Sequence, residues 1–245
     1  MPQLLIEVIH EPRHDAPFLV LKKPSGLPSA PLAPGEDSAI TQAVRLFPQL
    51  SCVRGKKDFE YGLLHRLDTD TAGLLLVAET DEAYRALCGQ QSCNRFYKTY
   101  RASCVAVPRL SSMLPGFPGP PSVLESPLHG KPVTVRSRFR PFGPKGASVR
   151  PVVPQSGRAA LKKSGAEEYA TRIVFLGNGT VRCQIARGAR HQVRCHLAWL
   201  GFPVQGDRLY NPFFVEGERL QFFATELSFE NPYDGKPFTV AWSPP

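Results

Sequence analysis

Between Leu63 and Ala78 a polar knot runs directly into an apolar run, and this junction constrains the fold more than any other stretch. Leu74-Leu75-Leu76-Val77-Ala78 is short and apolar and reads as a buried strand. Just before it come His65, Arg66, Asp68, Thr69, Asp70 and Thr71. Loops held on buried strands are where catalytic groups concentrate. Gly73 stands where the knot enters the strand, so it permits a bend or a close approach of another backbone. The plain alternative is a turn or cap built from Asp and Thr beside a surface arginine.

Other strand and helix signals surround this junction. Leu4 to Ile9, Phe18 to Leu21 and Tyr97 to Val107 read as strands. Ser38 is placed to cap a helix through Phe47, with Ile40, Val44 and Phe47 on one face. Thr80 or Asp81 is placed to cap another over residues 82–91. Tyr169–Phe175 and Thr180–Ala186 flank Asn178-Gly179, the strongest short-range hairpin signal. His191 to Leu200 reads as a helix with Val193, Leu197 and Leu200 on one face and Gly201 ending it. Leu220–Phe229 and Phe238–Trp242 read as closing strands. Runs of strands with few, separate helices predict an α+β fold around a mixed, largely antiparallel sheet.

Charge is distributed unevenly. The chain has 30 Lys+Arg against 21 Asp+Glu, a net +9 that suits a polyanionic partner. Lys131 to Lys163 alone carries nine cations and no acid, which leaves the rest of the chain balanced. Phe139 and Phe142 are interleaved with Arg136, Arg138 and Arg140, so a phosphate-gripping arm or hairpin is expected there rather than an incidental solvated loop. The six cysteines show neither a C-x-x-C nor a metal spacing, so no metal site is expected. No apolar run reaches the eighteen or so residues that cross a bilayer, and the first seventeen residues lack a signal-peptide layout. A cytoplasmic protein without membrane contact, acting as a monomer, is expected.

Three ordered motifs then resemble the RluA type of RNA pseudouridine synthase. His65-Arg66-Leu67-Asp68 with Thr71-Ala72-Gly73-Leu74-Leu75 resembles that family's HRLD-x-x-T-(S/A)-G-L-L element. Tyr97-Lys98-Thr99-Tyr100-Arg101-Ala102 is similar to its K-x-Y-x-A element. Gly188-Ala189-Arg190-His191-Gln192-Val193-Arg194-Cys195-His196-Leu197, followed by Leu200-Gly201 to Tyr210, is similar to its H-Q-x-R-x-H-L and G-D-x-x-Y elements. Lys22-Lys23-Pro24-Ser25-Gly26 resembles its K-P-x-G turn. The resemblance implies a bifurcated sheet with flanking helices and an RNA cleft, in one catalytic domain over residues 1–245. It also implies a Pro-rich and basic insertion at about 108–163 and no N-terminal S4 module. Two departures stand out. Ala189-Arg190 replaces an Arg-Thr pair before His191, and Phe222-Phe223-Ala224 replaces a common L-H-A.

A pseudouridine synthase breaks the N1–C1′ bond of a uridine, turns the uracil and rejoins it through C5, with neither cofactor nor metal. The resemblance assigns the catalytic carboxylate to Asp68; Asp70 is the rival two residues on, and a capping or turn role is expected for it. It gives Arg194 the part of an adjacent guanidinium, which keeps a desolvated carboxylate ionised. Tyr100 becomes a ring for the uracil to stack on, its hydroxyl assisting proton exchange, and Val193 the opposite wall. Arg66 is implied to fill the space left by the flipped base. His65, Lys98, Arg190, His191 and Gln192 are candidate contacts to phosphate, ribose or base edges, although each is equally suited to structural hydrogen bonding. The expected substrate is a stem-loop of rRNA or tRNA, where unstacking costs least.

Two other classes compete. Asp68 and Asp70 on one strand would sit about 6–7 Å apart, near the low end for inverting glycosidases. Only two tryptophans and a basic surface argue against a sugar ligand. A non-catalytic RNA-binding protein would have no use for a carboxylate facing a phosphate-rich ligand.

Overall fold

The computed structural model describes residues 5–31, 33, 35–107, 113–121 and 130–244. Leu4 and parts of the Pro-rich stretch, residues 108–112 and 122–129, lie outside these. Two compact units make up the chain, Met1–Lys98 with Phe223–Pro245, and Thr99–Phe222.

In the first unit β1 (Glu7–His10), β2 (Phe18–Lys23), β3 (Ala72–Ala78), β9 (Phe222–Glu230) and β10 (Pro237–Ala241) lie side by side in that order. Every pair is antiparallel except β3–β9, which is parallel. The central strand is almost wholly apolar, and Leu74 to Ala78 are fully buried. Leu74, Leu76 and Ala78 pack with Phe18, Phe96 and Phe229. Helix α1 (Ala39–Leu46) starts at a capping box in which Ser38 and Thr41 exchange hydrogen bonds, and α2 (Asp81–Ser92) starts at Thr80. Gly73 has φ +134°, and a Cβ there would stand 2.2 Å from the carbonyl oxygen of Ala224. This is the close approach of β9 that the glycine permits.

The second unit arranges β4 (Tyr97–Ser103), β8 (Thr180–Ile185), β7 (Tyr169–Gly177), β5 (Pro132–Phe142) and β6 (Ser148–Val152) in that order. The pairs β8–β7, β7–β5 and β5–β6 are antiparallel. Asn178 (φ 49°) and Gly179 (φ 71°), both left-handed, form the expected two-residue turn between β7 and β8. A short helix, α3 (Arg158–Lys163), follows β6, and α4 (Gln192–Trp199) follows β8. The strand from Tyr97 stops at Ser103 rather than Val107, because the next backbone N–H groups bond to Gly179, Pro203 and Gly201 instead of a strand partner.

Helix α4 departs from the expected single apolar face. All eight of its residues are buried, including Gln192, Arg194 and His196. His196 sits between the hydroxyls of Ser137, at 2.9 Å, and Thr171, at 2.8 Å. Burial pushes its pKa down to about 3, so the imidazole stays neutral. The basic segment is a hairpin built into the sheet rather than a loose arm. Val133, Val135, Ser137 and Phe139 take the buried positions of β5, while Arg136 and Arg138 take exposed ones.

Candidate active site

The polar knot of the first unit is an extended loop held from behind by residues 23–29. Lys23, fully buried, donates from Nζ to the carbonyls of Pro24 (3.0 Å), Leu27 (2.6 Å) and Thr69 (2.9 Å). Ser29 Oγ donates to Leu67 O and accepts from Leu67 N, both at 2.9 Å. Gly26 N donates to Thr69 O, Ser25 Oγ to Asp70 O, and Thr71 N to Asp68 O. Bonds on both sides of Asp68 thus fix its backbone, and the side chain is half-buried. Burial lowers the Lys23 pKa to about 8, against the opposing pull of Asp68 and Asp70, so the ammonium lies within the electrostatic reach of both carboxylates.

His65 and Lys98 meet near Phe96. The centroids of the His65 and Phe96 rings lie 5.8 Å apart. Lys98 Nζ stands 5.5 Å from the centroid of the same phenyl ring, within cation–π range. Both His65 ring nitrogens are sealed from solvent without a hydrogen-bond partner among the described residues, although the residue as a whole is half-exposed. Burial, and then the Lys98 charge, hold its pKa well below the usual imidazole value, so it is neutral at physiological pH. Desolvation alone brings Lys98 down to about 8. Arg66 reaches outward and is tethered at 3.3 Å to Glu60, itself buried.

In the second unit Tyr100 is buried and lies flat on Phe222, centroids 5.0 Å apart and planes 5° from parallel. Tyr97, three residues earlier on the strand, is exposed, as the alternation predicts. His191 leads into α4 with φ 54° and bonds through Nδ1 to the Tyr210 hydroxyl at 3.1 Å. Gln192 spends its amide inside the protein, accepting from Ala189 N and donating to Ala170 O and Thr171 Oγ1. Of the two readings open to it, the structural hydrogen-bonder is the one seen. Arg190 is exposed and donates to the carbonyls of Gly146 and Ala147. Val193 is buried.

Arg194 is buried rather than solvent-facing. It forks Asp207 through Nε to Oδ2 (2.8 Å) and Nη2 to Oδ1 (2.7 Å), the bidentate geometry that suits a guanidinium and a carboxylate. The same Asp207 oxygen, Oδ1, accepts from Leu209 N and Tyr210 N. The Tyr210 ring lies 5.5 Å from the guanidinium carbon and completes a vise around it. Arg136 approaches Glu168 at 3.8 Å, and Arg140 donates to Gly116 O beside the Phe142 ring. Arg138 is exposed.

Sequence reasoning gave Lys23, Glu60 and Asp207 no role. Lys23 and Asp207 stood inside quoted motifs, but which carbonyls or arginine they would meet depends on contacts across turns. Glu60 carried no signal at all. Among the described residues no grouping of His, Cys, Asp and Glu is arranged to hold a metal ion, and no helix is long and apolar enough to cross a membrane.

The profile of the RNA pseudouridylate synthase family matches residues 17–199, three quarters of the chain. The chain belongs to this family. The matched span includes Asp68, Tyr100 and Arg194 and ends short of Asp207. Among curated relatives of this pseudouridine synthase family member, an uncharacterized RNA pseudouridine synthase of Chloroflexus aurantiacus is 31% identical over 192 residues, 78% of this chain and 51% of the relative. The ribosomal large subunit pseudouridine synthase D of Xylella fastidiosa is 29% identical over 206 residues, 84% of this chain and 51% of its own. The chain thus spans about half the length of these curated relatives. Among solved structures, human RNA pseudouridylate synthase domain containing 1 superposes with a TM-score of 0.66 at 20% identity, covering 100% of this chain and 86% of that one. The fold is therefore that of the pseudouridine synthases: α+β, with a mixed, largely antiparallel sheet.

Proposed function

We propose that this chain isomerises uridine to pseudouridine in structured RNA, a stem-loop of rRNA or tRNA, with Asp68 as its catalytic carboxylate. The family match across residues 17–199 carries this reading, because it contains the HRLD, K-x-Y and H-Q-x-R motifs in order. In the reaction the C1′–N1 bond breaks and a C1′–C5 bond forms. C5 gives up its proton and N1 gains one, so the atoms balance without any added group.

The chemistry asks for an ionised carboxylate held still near the ribose. Holding an acceptor in a fixed place removes reorganisation from the barrier. The bonds that Lys23, Gly26 and Ser29 make to Leu67 and Thr69 support such a role for the loop around Asp68. Arg194 is assigned by the H-Q-x-R motif to keeping such a carboxylate ionised against desolvation. Its fork to Asp207 supports a fixed guanidinium rather than a mobile one. Tyr100 supplies the ring on which the uracil stacks. Phe222 backs one face of that ring, so the base takes the opposite face, with Val193 as the other wall.

Flipping a base costs a few kcal/mol of unstacking. Arg66, outward and tethered at Glu60, has the exposure needed to enter the vacated stack. Arg190, exposed at the start of α4, and His191 beside it suit contact with the RNA around the target nucleotide, whereas the sealed ring of His65 and the buried Lys98 support the catalytic loop from inside. Arg136, Arg138 and Arg140 hold phosphates. The protein acts in the cytoplasm as a monomer, in a single catalytic domain. Pseudouridine mapping of rRNA and tRNA from cells with and without the gene tests the proposal. One or a few uridines should lose modification in its absence, and an unchanged map counts against it.

A further inference from the structure

Strand register in the second unit lines up arginines that lie far apart in sequence. Arg136 and Arg138 stand on the outer face of β5, because Val133, Val135, Ser137 and Phe139 occupy the buried alternates. Arg136 is paired in register with Ala170 of β7, and Thr134 with Arg172, so Arg172 emerges on the same face. Arg172 pairs with Gln184 and Val174 with Arg182 of β8, which carries the face one strand further. Thr171, Ile173, Val181 and Cys183 take the opposite, buried side. Arg138, Arg136, Arg172 and Arg182 are all exposed. They form a diagonal row over three strands, with neighbours about 7–8 Å apart by strand geometry.

Like charges on neighbouring sheet positions destabilise the fold, so this row gains from an anion laid across it. Glu168 approaches Arg136 at 3.8 Å, but both side chains are more than half exposed. A loose pair of that kind contributes little. Guanidinium groups bind phosphates in a two-pronged fashion that lysines cannot match. One strand of a nucleic-acid helix presents a phosphate about every 3.4 Å of axis, so a row of this length meets several.

We propose that Arg138, Arg136, Arg172 and Arg182 form a phosphate track along which one strand of the substrate RNA lies. The track rests on the reading of the chain as an enzyme of RNA, and it adds Arg172 and Arg182, on β7 and β8, to the basic hairpin. The RNA backbone crosses strands that are contiguous in space, not the continuous run of sequence from Lys131 to Lys163.

Binding of a fluorescein-labelled synthetic RNA hairpin, measured at several salt concentrations, tests this. In R172Q/R182Q the slope of log K against log salt should fall by about 1.4–1.8, the sum for two lost phosphate contacts. R172K/R182K should keep most of the slope. R45Q/R85Q removes the same net charge at two exposed arginines that pair with Asp37 and Glu82 off the row, and it should keep the wild-type slope. An unchanged slope in R172Q/R182Q, or an equal fall in R45Q/R85Q, overturns the track. So does polyglutamate competing as well as unlabelled RNA, which would make the surface one for acidic proteins. If the wild type makes pseudouridine while R172Q/R182Q keeps its slope, the track fails alone. If the slope falls as stated but the wild type modifies no uridine, the catalytic reading fails and the track stands.

Discussion

Arg194 and Asp207 grip each other edge to edge, Nε to Oδ2 at 2.8 Å and Nη2 to Oδ1 at 2.7 Å, with 5% and 1% of their surfaces exposed. Two parallel charge-assisted bonds fix both the position and the plane of the guanidinium. The carboxylate that does this is itself fixed, because Oδ1 also accepts from the backbone of Leu209 and Tyr210. The Gly-Asp turn after α4 therefore sets where an arginine on α4 points.

Removing Asp207 strips a buried cation of its forked partner. Asp207→Ala should lower folding stability by about 3–5 kcal/mol, the range for breaking one side of a buried ion pair. Chemical denaturation reads this directly. A loss below about 1 kcal/mol, the level of an exposed pair, would mean that the fork contributes little to holding Arg194.

Lys23 makes a pH-dependent contribution whose sign follows from its burial. Its pKa is 10.5 in the unfolded chain and about 8 in the folded one. Below pH 8 both states hold the proton and the burial penalty is fully present. As pH rises from 8 towards 10.5 the folded state releases its proton first, so stability rises with pH. Lys98 shifts in the same direction, but it is present in both proteins when the wild type is compared with Lys23→Met. The wild type should gain on that variant by about 3 kcal/mol across the window, at about 1.36 kcal/mol per pKa unit. Denaturation midpoints at about pH 7 and about pH 10 measure it, and a flat difference would contradict the assignment.

Gly73 has no room for a side chain. With φ +134° and the Ala224 carbonyl 2.2 Å from any Cβ, Gly73→Ala must push β9 off β3. A loss of at least about 2 kcal/mol is expected from backbone strain and clash together. Thermal unfolding reports it, and a variant as stable as the wild type would show that β3 and β9 tolerate separation.

The side-chain periods carried much of the fold. Leu74 to Ala78 appears as the fully buried β3, Ser38 and Thr80 cap the helices they were placed to cap, and Asn178-Gly179 turns the hairpin. What stayed hidden depends on contacts between residues distant in the chain. Nothing local distinguishes Lys23 as a buried clamp from Lys22, its half-exposed neighbour. The burial of α4 on every side was hidden too, because its Gln, Arg and His read as an exposed polar face until Thr171, Asp207 and Ser137 are there to bond them. The arginine row was invisible because register, not sequence distance, brings Arg136 and Arg172 together.

Arg66 is tethered to Glu60 by one bond of 3.3 Å and is otherwise outward. If it fills the gap left by a flipped base, Arg66→Ala should slow turnover on a structured stem-loop by roughly 10-fold or more, about 1.4 kcal/mol. A single-stranded oligonucleotide carrying the same target has no stack to fill and should be affected much less. Equal slowing on both substrates would make Arg66 a general phosphate contact instead.

The assignment of Asp68 is tested most directly by tritium release from RNA transcribed with uridine tritiated at C5, since forming the C1′–C5 bond expels the label. Wild-type protein should release tritium from its target RNA. Asp68→Asn should release none while still binding that RNA, and Asp70→Asn, whose backbone carbonyl serves the turn through Ser25, should retain release. Tritium release by Asp68→Asn, or equal loss in both variants, would contradict Asp68 as the catalytic carboxylate.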